Sequence, residues 1–317
     1  FISPHKFLGG PGASGVLVFI QRIYDRTLPP TVSAGGTVDY VSMTDQDFIK
    51  DIEEREKAGT PGVLQTLKAA LVFQIKDNVG ADALRRREHT LTSRAMQTWG
   101  EHGGIEILGT PDPASRIAII SFNIRCADGK YLHHKLVTAL LNDLFGIQSR
   151  AGCSCAGPYG HRLLGIDSDV SERYRHAVQD GYCGIKPGWC RIGFHWVMDD
   201  LEADYVIDAV RFIADHGHRF TSLYGFDLAT GTWTHRQAVD DLPEFSLDAA
   251  LRSEADEPAI LTTALRNQLY EHYLAEARRI AESLEVRVSD NSTLPSTVLE
   301  DLRFFTLPDG SLPRADN

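Results

Sequence analysis

The order of apolar and polar positions predicts alternating strands and helices. Residues 16–20, Val-Leu-Val-Phe-Ile, form a short apolar run that predicts a buried strand. Residues 29–42 read as a loop rising through Gly35-Gly36-Thr37 into a short strand, followed by an acidic helix over about 45–57. From Pro61 to about His102 the spacing of Leu64, Leu67, Ala70, Leu71 and Phe73 is helical. Pro61 falls just inside the helix start and Thr60 at its N-terminus. Gly103-Gly104 then marks a boundary. Beyond it, residues 105–108 and 116–124 read as strands, 132–144 as an amphipathic helix, and 186–192 as a turn into a strand. Asp199, Asp200 and Glu202 open a further helix to about His216, where acids suit the N-terminus. A long helix over about 259–284 follows, then a polar tail from Val288 with Pro295, Pro308 and Pro313. The pattern is α/β.

Composition narrows the class. A chain of 317 residues suffices for one large or two ordinary domains. A 43% hydrophobic and 24% charged content is that of an ordinary soluble globular protein. The net charge of −11 argues against nonspecific nucleic-acid binding. No apolar run is long enough to span a bilayer, and no signal peptide is evident, so no membrane partner is expected. The five cysteines, Cys126, Cys153, Cys155, Cys183 and Cys190, come without secretory context and read as free thiols of a reducing cytoplasm. A zinc site from Cys153, Cys155, Cys183 and Cys190 would match no standard knuckle spacing, so no metal is assigned.

Several features have plain structural readings. Gly10-Pro11-Gly12-Ala13-Ser14-Gly15 matches the dinucleotide fingerprint G-x-G-x-x-G. That fingerprint needs a strand before it and a helix after it. A β-branched run follows instead, so a tight hairpin turn is the expectation. Arg85-Arg86-Arg87 reads as a solvated face, and His133-His134 as an exposed cap turn. Taken alone, Lys6 would be a surface lysine, Thr60 a plain N-cap, and Cys155 a buried small residue.

Two stretches together change that reading. Ser3-Pro4-His5-Lys6, with a Gly-Pro-Gly turn and an apolar strand behind it, resembles the cofactor-lysine segment of the class V aminotransferase superfamily. Arg150-x-Gly152-x-x-Cys155-Ala156 resembles the substrate loop of that superfamily's cysteine desulfurase and selenocysteine lyase group. Gly35-Gly36-Thr37-Val38 and Glu56-Lys57-Ala58-Gly59-Thr60-Pro61 resemble its interface segment, with Lys57 as an extra residue after the glutamate. Gly157-Pro158-Tyr159-Gly160-His161 and the second thiol, Cys153, depart from the better-known desulfurases.

The resemblance implies pyridoxal 5′-phosphate as cofactor, held covalently by Lys6. Ser3 and His5 would bind its phosphate, and Thr60 would reach a partner subunit's phosphate. An amine suits attachment to an aldehyde and later proton transfer. Arg150 would clamp the substrate α-carboxylate with its planar fork, and Arg191 would support it. Cys155 would be the nucleophile toward the substrate's sulfur. The implied fold is that of the PLP-dependent transferases, fold type I. It comprises part of a large domain on a mostly parallel sheet (1–103), a small α/β domain (104–220), and a helical C-terminal extension of unassigned role (221–317). A homodimer is implied, acting on an amino acid, with a sulfur-acceptor protein as further partner.

The chain begins at Phe1. In the superfamily, the residues that stack on the ring and pair with its nitrogen lie upstream of the lysine, so this stretch alone is expected to be inactive. The expected activity of the complete protein is removal of sulfur from L-cysteine through an enzyme persulfide, leaving alanine. Two alternatives stand beside it. One is another class V reaction (aminotransferase, epimerase or lyase) in which Cys155 is dispensable. The other is a non-catalytic scaffold.

Overall fold

The computed structural model describes residues 1–6, 8, 12–238, 246–252, 261–285 and 293–307. Gly9, Gly10, Pro11, Val288, Pro308 and Pro313, singled out in the sequence, lie outside them. The chain divides into two compact units, 1–85 and 86–317.

In the first unit, Pro4–Lys6 forms a single 3-10 turn. Ile2 and Val16 exchange backbone hydrogen bonds of 2.8 and 2.9 Å. The buried strand expected over 16–20 does not form: only Val16 pairs, and Leu17, Val18, Phe19 and Ile20 are exposed. The acidic helix expected over 45–57 is also replaced. β1 (Val38–Val41) pairs antiparallel with β2 (Gln46–Phe48). The turn between them is held by Ser42, whose hydroxyl accepts from the Asp45 N–H at 2.8 Å. Only one helical turn remains, α1 (Ile52–Arg55), capped by Asp51 through the N–H groups of Glu53 and Glu54. The described part of this unit thus holds a two-stranded antiparallel ribbon and not the mostly parallel sheet expected.

α2 (Val63–Val79) starts later than expected, with Gly62 at its N-cap, so Thr60 and Pro61 lie in the preceding loop. It buries Ala69 and Val72, while Leu64, Leu67, Leu71 and Phe73 are exposed. Gly80, at φ 85°, ends it, because a left-handed backbone cannot continue a helix. α3 (Ala81–Gly100) follows, and the division between the units falls within it.

The second unit is built on a four-stranded antiparallel sheet of β3 (Ile105–Leu108), β4 (Ile119–Ile124), β5 (Arg150–Gly152) and β6 (Trp189–Gly193). Their spatial order is β3-β4-β6-β5, which leaves β5 at an edge. Ile120, Phe122 and Ile124 alternate along β4, paired across to Ile192 and Cys190, and all are buried. Trp99 of α3 packs on this face, 5.2 Å from Phe122 between ring centroids, and its Nε1 donates to the Ile207 carbonyl at 3.2 Å.

α4 (His134–Phe145) joins the same core. α5 (Gly157–Leu163) and α6 (Ser168–Gln179) follow β5. α7 (Asp200–His216) is capped by Asp199, as its acidic opening predicts. Arg87, expected on a solvated face, instead donates to Asp200 at 2.8 Å and to the Met198 carbonyl at 2.6 Å, pinning α3 to the start of α7.

The C-terminal extension is part of this core. β7 (Tyr224–Asp227) and β8 (Thr232–His235) form a ribbon, α8 (Leu247–Arg252) follows, and α9 (Thr263–Ser283) packs Ala277 and Ala281 inward. After α10 (Thr297–Leu302), the Tyr131 N–H donates to the Phe304 carbonyl at 3.0 Å and the Thr306 N–H to the Tyr131 carbonyl at 3.0 Å.

This last segment corrects the reading of the two histidines. His133 and His134 are buried, not exposed, with their rings stacked 4.4 Å apart. Phe305 meets His133 edge-on at 4.6 Å, and Phe304 lies parallel to His134 at 6.1 Å. Phe304 and Phe305 lie some 170 positions away in sequence, and Phe226 and Trp233, which also pack on His133, are themselves distant, so no local pattern reaches the cover.

Candidate functional site

Ser3, His5 and Lys6 fall together in and beside the turn Pro4–Lys6, where the Lys6 N–H donates to the Ser3 carbonyl at 3.0 Å. His5 and Lys6 are exposed and Ser3 is partly so, which leaves an amine, an imidazole and a hydroxyl available within four residues. This donor set fits a phosphorylated aldehyde, for the amine can bond the carbonyl carbon while the other two donate to phosphate. α2 packs against this turn, and the Gln65 carbonyl accepts the Ser14 N–H at 3.2 Å. Thr60 is exposed on the loop before α2, and the Gly59 N–H beside it donates to the Gly35 carbonyl at 2.8 Å. The two glycine-containing segments that the sequence singled out thus meet. The helix N-terminus expected at Thr60 does not form there, since Gly62 caps α2.

In the second unit, Arg150 and Arg191 are direct cross-strand partners in the antiparallel β5–β6 pair. Directly opposite residues share one face of a sheet, so the two guanidinium groups are presented together. Like charges in that arrangement repel, which makes the pair a ready receptor for an anion. Both line a cavity of about 620 Å3, with Gln148, Glu202, Tyr205 and Tyr270 also in its wall.

Cys155 lies just beyond β5. The Ala156 N–H donates to the Cys153 carbonyl at 3.0 Å, closing a two-residue turn. Ser154 (φ 52°) and Cys155 (φ 59°) occupy its middle, both left-handed, as a type I′ turn requires. Neither is the glycine or asparagine such positions favour, so the turn holds strain of about 1–3 kcal/mol per residue. Arg150 Nη2 donates to Cys155 Sγ at 3.3 Å. The thiols of Cys153 and Cys155 are free and both residues are exposed, whereas the Ser154 hydroxyl is buried without a partner among the described residues.

The segment that departs from the desulfurase pattern supports this loop. A Cβ on Gly160 would stand 3.0 Å from the Trp189 ring, so any larger residue would press α5 away from β6. His161 holds α5 to α6, with Nε2 2.9 Å from Ser171 Oγ. Beneath, Gly188 meets Gly152: a Cβ at Gly188 would stand 2.7 Å from the Gly152 Cα.

A model of the aminotransferase class-V family matches residues 1–206. The chain belongs to the aminotransferase class-V family. Among curated relatives, a probable cysteine desulfurase of Staphylococcus aureus is 33% identical over 156 residues, covering 49% of this chain and 35% of that protein. One of Staphylococcus epidermidis is 34% identical over 167 residues, covering 52% and 38%. The chain therefore spans little more than a third of the length of these relatives. Among solved structures, a cysteine desulfurase of Thermococcus onnurineus is 24% identical with a TM-score of 0.47, covering 59% of this chain and 39% of that one.

The class-V match ends before the extension, and this is where the sequence motifs missed a wall of the cavity. Tyr270, on α9, stacks on Tyr205 with centroids 4.0 Å apart and planes 7° from parallel. The Tyr205 hydroxyl donates to the Phe145 carbonyl at 2.9 Å. Burial raises both phenols above their ordinary pKa, so they remain hydrogen-bond donors at neutral pH. Arg266 of α9 pairs with Asp199, the cap of α7. The Asp199 carboxyl is held below the usual carboxylate range by the Glu202 N–H it accepts and by Arg266.

Proposed function

We propose that the complete protein is a pyridoxal-phosphate enzyme that removes sulfur from L-cysteine. The observation that carries the reading is the double role of Arg150. It stands opposite Arg191, as half of an anion receptor, and donates to Cys155 Sγ at 3.3 Å. An α-carboxylate held by that pair would place the rest of a small amino acid beside the thiol. The names of the curated relatives, probable cysteine desulfurases, support the same chemistry.

Lys6 would hold the cofactor, with Ser3, His5 and Thr60 at phosphate. Pyridoxal phosphate supplies the electron sink that accepts the pair left behind when the carbon–sulfur bond breaks. The remaining work belongs to the chain. Lys6 moves the α-proton, Arg150 and Arg191 hold the carboxylate, and the Cys155 thiolate attacks the substrate sulfur. Sulfur then stays on Cys155 as a persulfide and alanine leaves.

The exposed apolar side of α2, at Leu64, Leu67 and Leu71, supports a two-fold dimer of the complete protein. Five free thiols support a reducing, cytoplasmic setting and a thiol-bearing acceptor protein. No helix among the described residues is long and apolar enough to cross a membrane.

The test is alanine formation from L-cysteine by the complete protein with added cofactor, beside Cys155→Ala. Alanine that depends on Cys155 is the expected result. Alanine formed equally without the thiol, or none at all, overturns the reading.

A further inference from the structure

Resting on the desulfurase reading, we propose that Cys153 is the resolving thiol for Cys155: it displaces the bound sulfur as hydrosulfide and leaves a Cys153–Cys155 disulfide.

The turn geometry carries the proposal. Cys153 and Cys155 are the first and third residues of the turn closed by the 3.0 Å bond from the Ala156 N–H to the Cys153 carbonyl. With consecutive Cα atoms 3.80 Å apart, a chain reversing at Ser154 brings the two cysteine Cα atoms to about 5–6 Å. That lies inside the range of about 4.4–6.8 Å over which disulfide-bonded cysteines are found. Both thiols are free on exposed residues, and the hydroxyl of the intervening Ser154 is buried. Arg150 contacts only one of them, Cys155, which separates the roles: the sulfur beside the anion receptor takes the substrate's atom, and its neighbour removes it.

The step balances without an outside oxidant. The Cys153 thiolate attacks the inner sulfur of the Cys155 persulfide. The new Sγ–Sγ bond forms, the persulfide S–S bond breaks, and hydrosulfide departs with the electron pair. Each turnover therefore leaves the loop oxidised by two electrons. A thiol reductant, two monothiols or one dithiol, must restore it before the next.

The experiment uses the complete protein with cofactor, fully reduced, then freed of reductant and given one equivalent of L-cysteine. Alkylation and peptide mass mapping follow, with hydrosulfide measured in parallel. In the unaltered protein we expect a 153–155 linkage, about 2 Da below the dithiol, matched by hydrosulfide. Cys153→Ser should instead keep about 32 Da of sulfur on Cys155 and release hydrosulfide at least about tenfold more slowly until thiol is added. Persulfide on Cys155 in both proteins, with equal hydrosulfide release and no linkage, overturns the proposal while leaving the desulfurase reading intact. No persulfide on Cys155 in either protein, and no linkage, overturns both.

Discussion

Tyr270 of the extension stacks on Tyr205 of α7, with ring centroids 4.0 Å apart, and both line the cavity that holds Arg150 and Arg191. Such a pair contributes about 0.5–1.5 kcal/mol beyond the area it buries. Tyr270→Ala is expected to lower stability by about 1–2 kcal/mol, and a double-mutant cycle with Tyr205→Phe should show little coupling, because the ring and not the hydroxyl makes the contact. Urea unfolding of the complete protein measures both. An unchanged midpoint for Tyr270→Ala would mean the extension does not brace α7.

The Arg150–Arg191 pair sets stability against binding. Removing one cation relieves repulsion between directly opposed like charges, so Arg191→Gln should raise stability by a few tenths of a kcal/mol, up to about 1. The same change should raise KM for an amino-acid substrate by about 10- to 100-fold, since a charge-assisted bond contributes about 1.5–3 kcal/mol. Arg150→Lys should likewise weaken binding, because an ammonium cannot reproduce a planar fork. Equal KM in Arg191→Gln would remove Arg191 from the site.

Burial depresses both histidines of α4's first turn. His134 is held down to about 3, by burial first and then by Lys135. His133 lies well below its usual value, by burial and then by His134. In the unfolded chain each titrates near 6.5. Between that value and the folded one, the unfolded state binds the proton and the native state does not. Stability is therefore full above about pH 6.5 and falls as pH drops toward 3, by up to about 1.4 kcal/mol per pH unit for each histidine. Unfolding midpoints from pH 7.5 to 4 should show this slope, and His134→Gln should flatten it. A midpoint independent of pH would rule the linkage out.

The strained turn gives a prediction of the opposite sign. Ser154→Gly should stabilise by about 1 kcal/mol, since glycine adopts φ 52° freely and the unpaired buried hydroxyl disappears. Thermal unfolding measures it, and destabilisation would show that Ser154 is held by something other than the turn.

Legibility in the sequence followed the range of the interactions. Both motifs landed on one turn or one strand end each, because lysine, arginine and cysteine positions there are fixed by neighbours only a few residues away. β3 and the Asp199 cap were likewise local. The helix expected over 45–57 failed because acidic content favours a helix start but says nothing of the Ser42 turn that folds 46–48 back on β1. Val16–Ile20 looked like a strand from its residues alone, yet a strand exists only by its partner, and past Val16 the described residues offer it none. Tyr270 carried no signal, because its place beside Arg150 depends on α9 crossing α7, a packing that no spacing within α9 encodes. The cover over His133 was hidden for the same reason.

Tyr131 is stitched on both sides to Phe304 and Thr306 by 3.0 Å bonds, and Phe305 is fully buried against the rings it meets. Protein synthesis is vectorial, so a ribosome delivers the sheet and α4 long before the residues that seal them. During that interval the sides of His133 and His134 that Phe304 and Phe305 cover are left open, and the half-built domain exposes apolar surface there. A short deletion around Phe304 and Phe305 would thus strike the core of the second unit. Mutations that truncate the last aromatic residues should read as losses of abundance rather than of turnover.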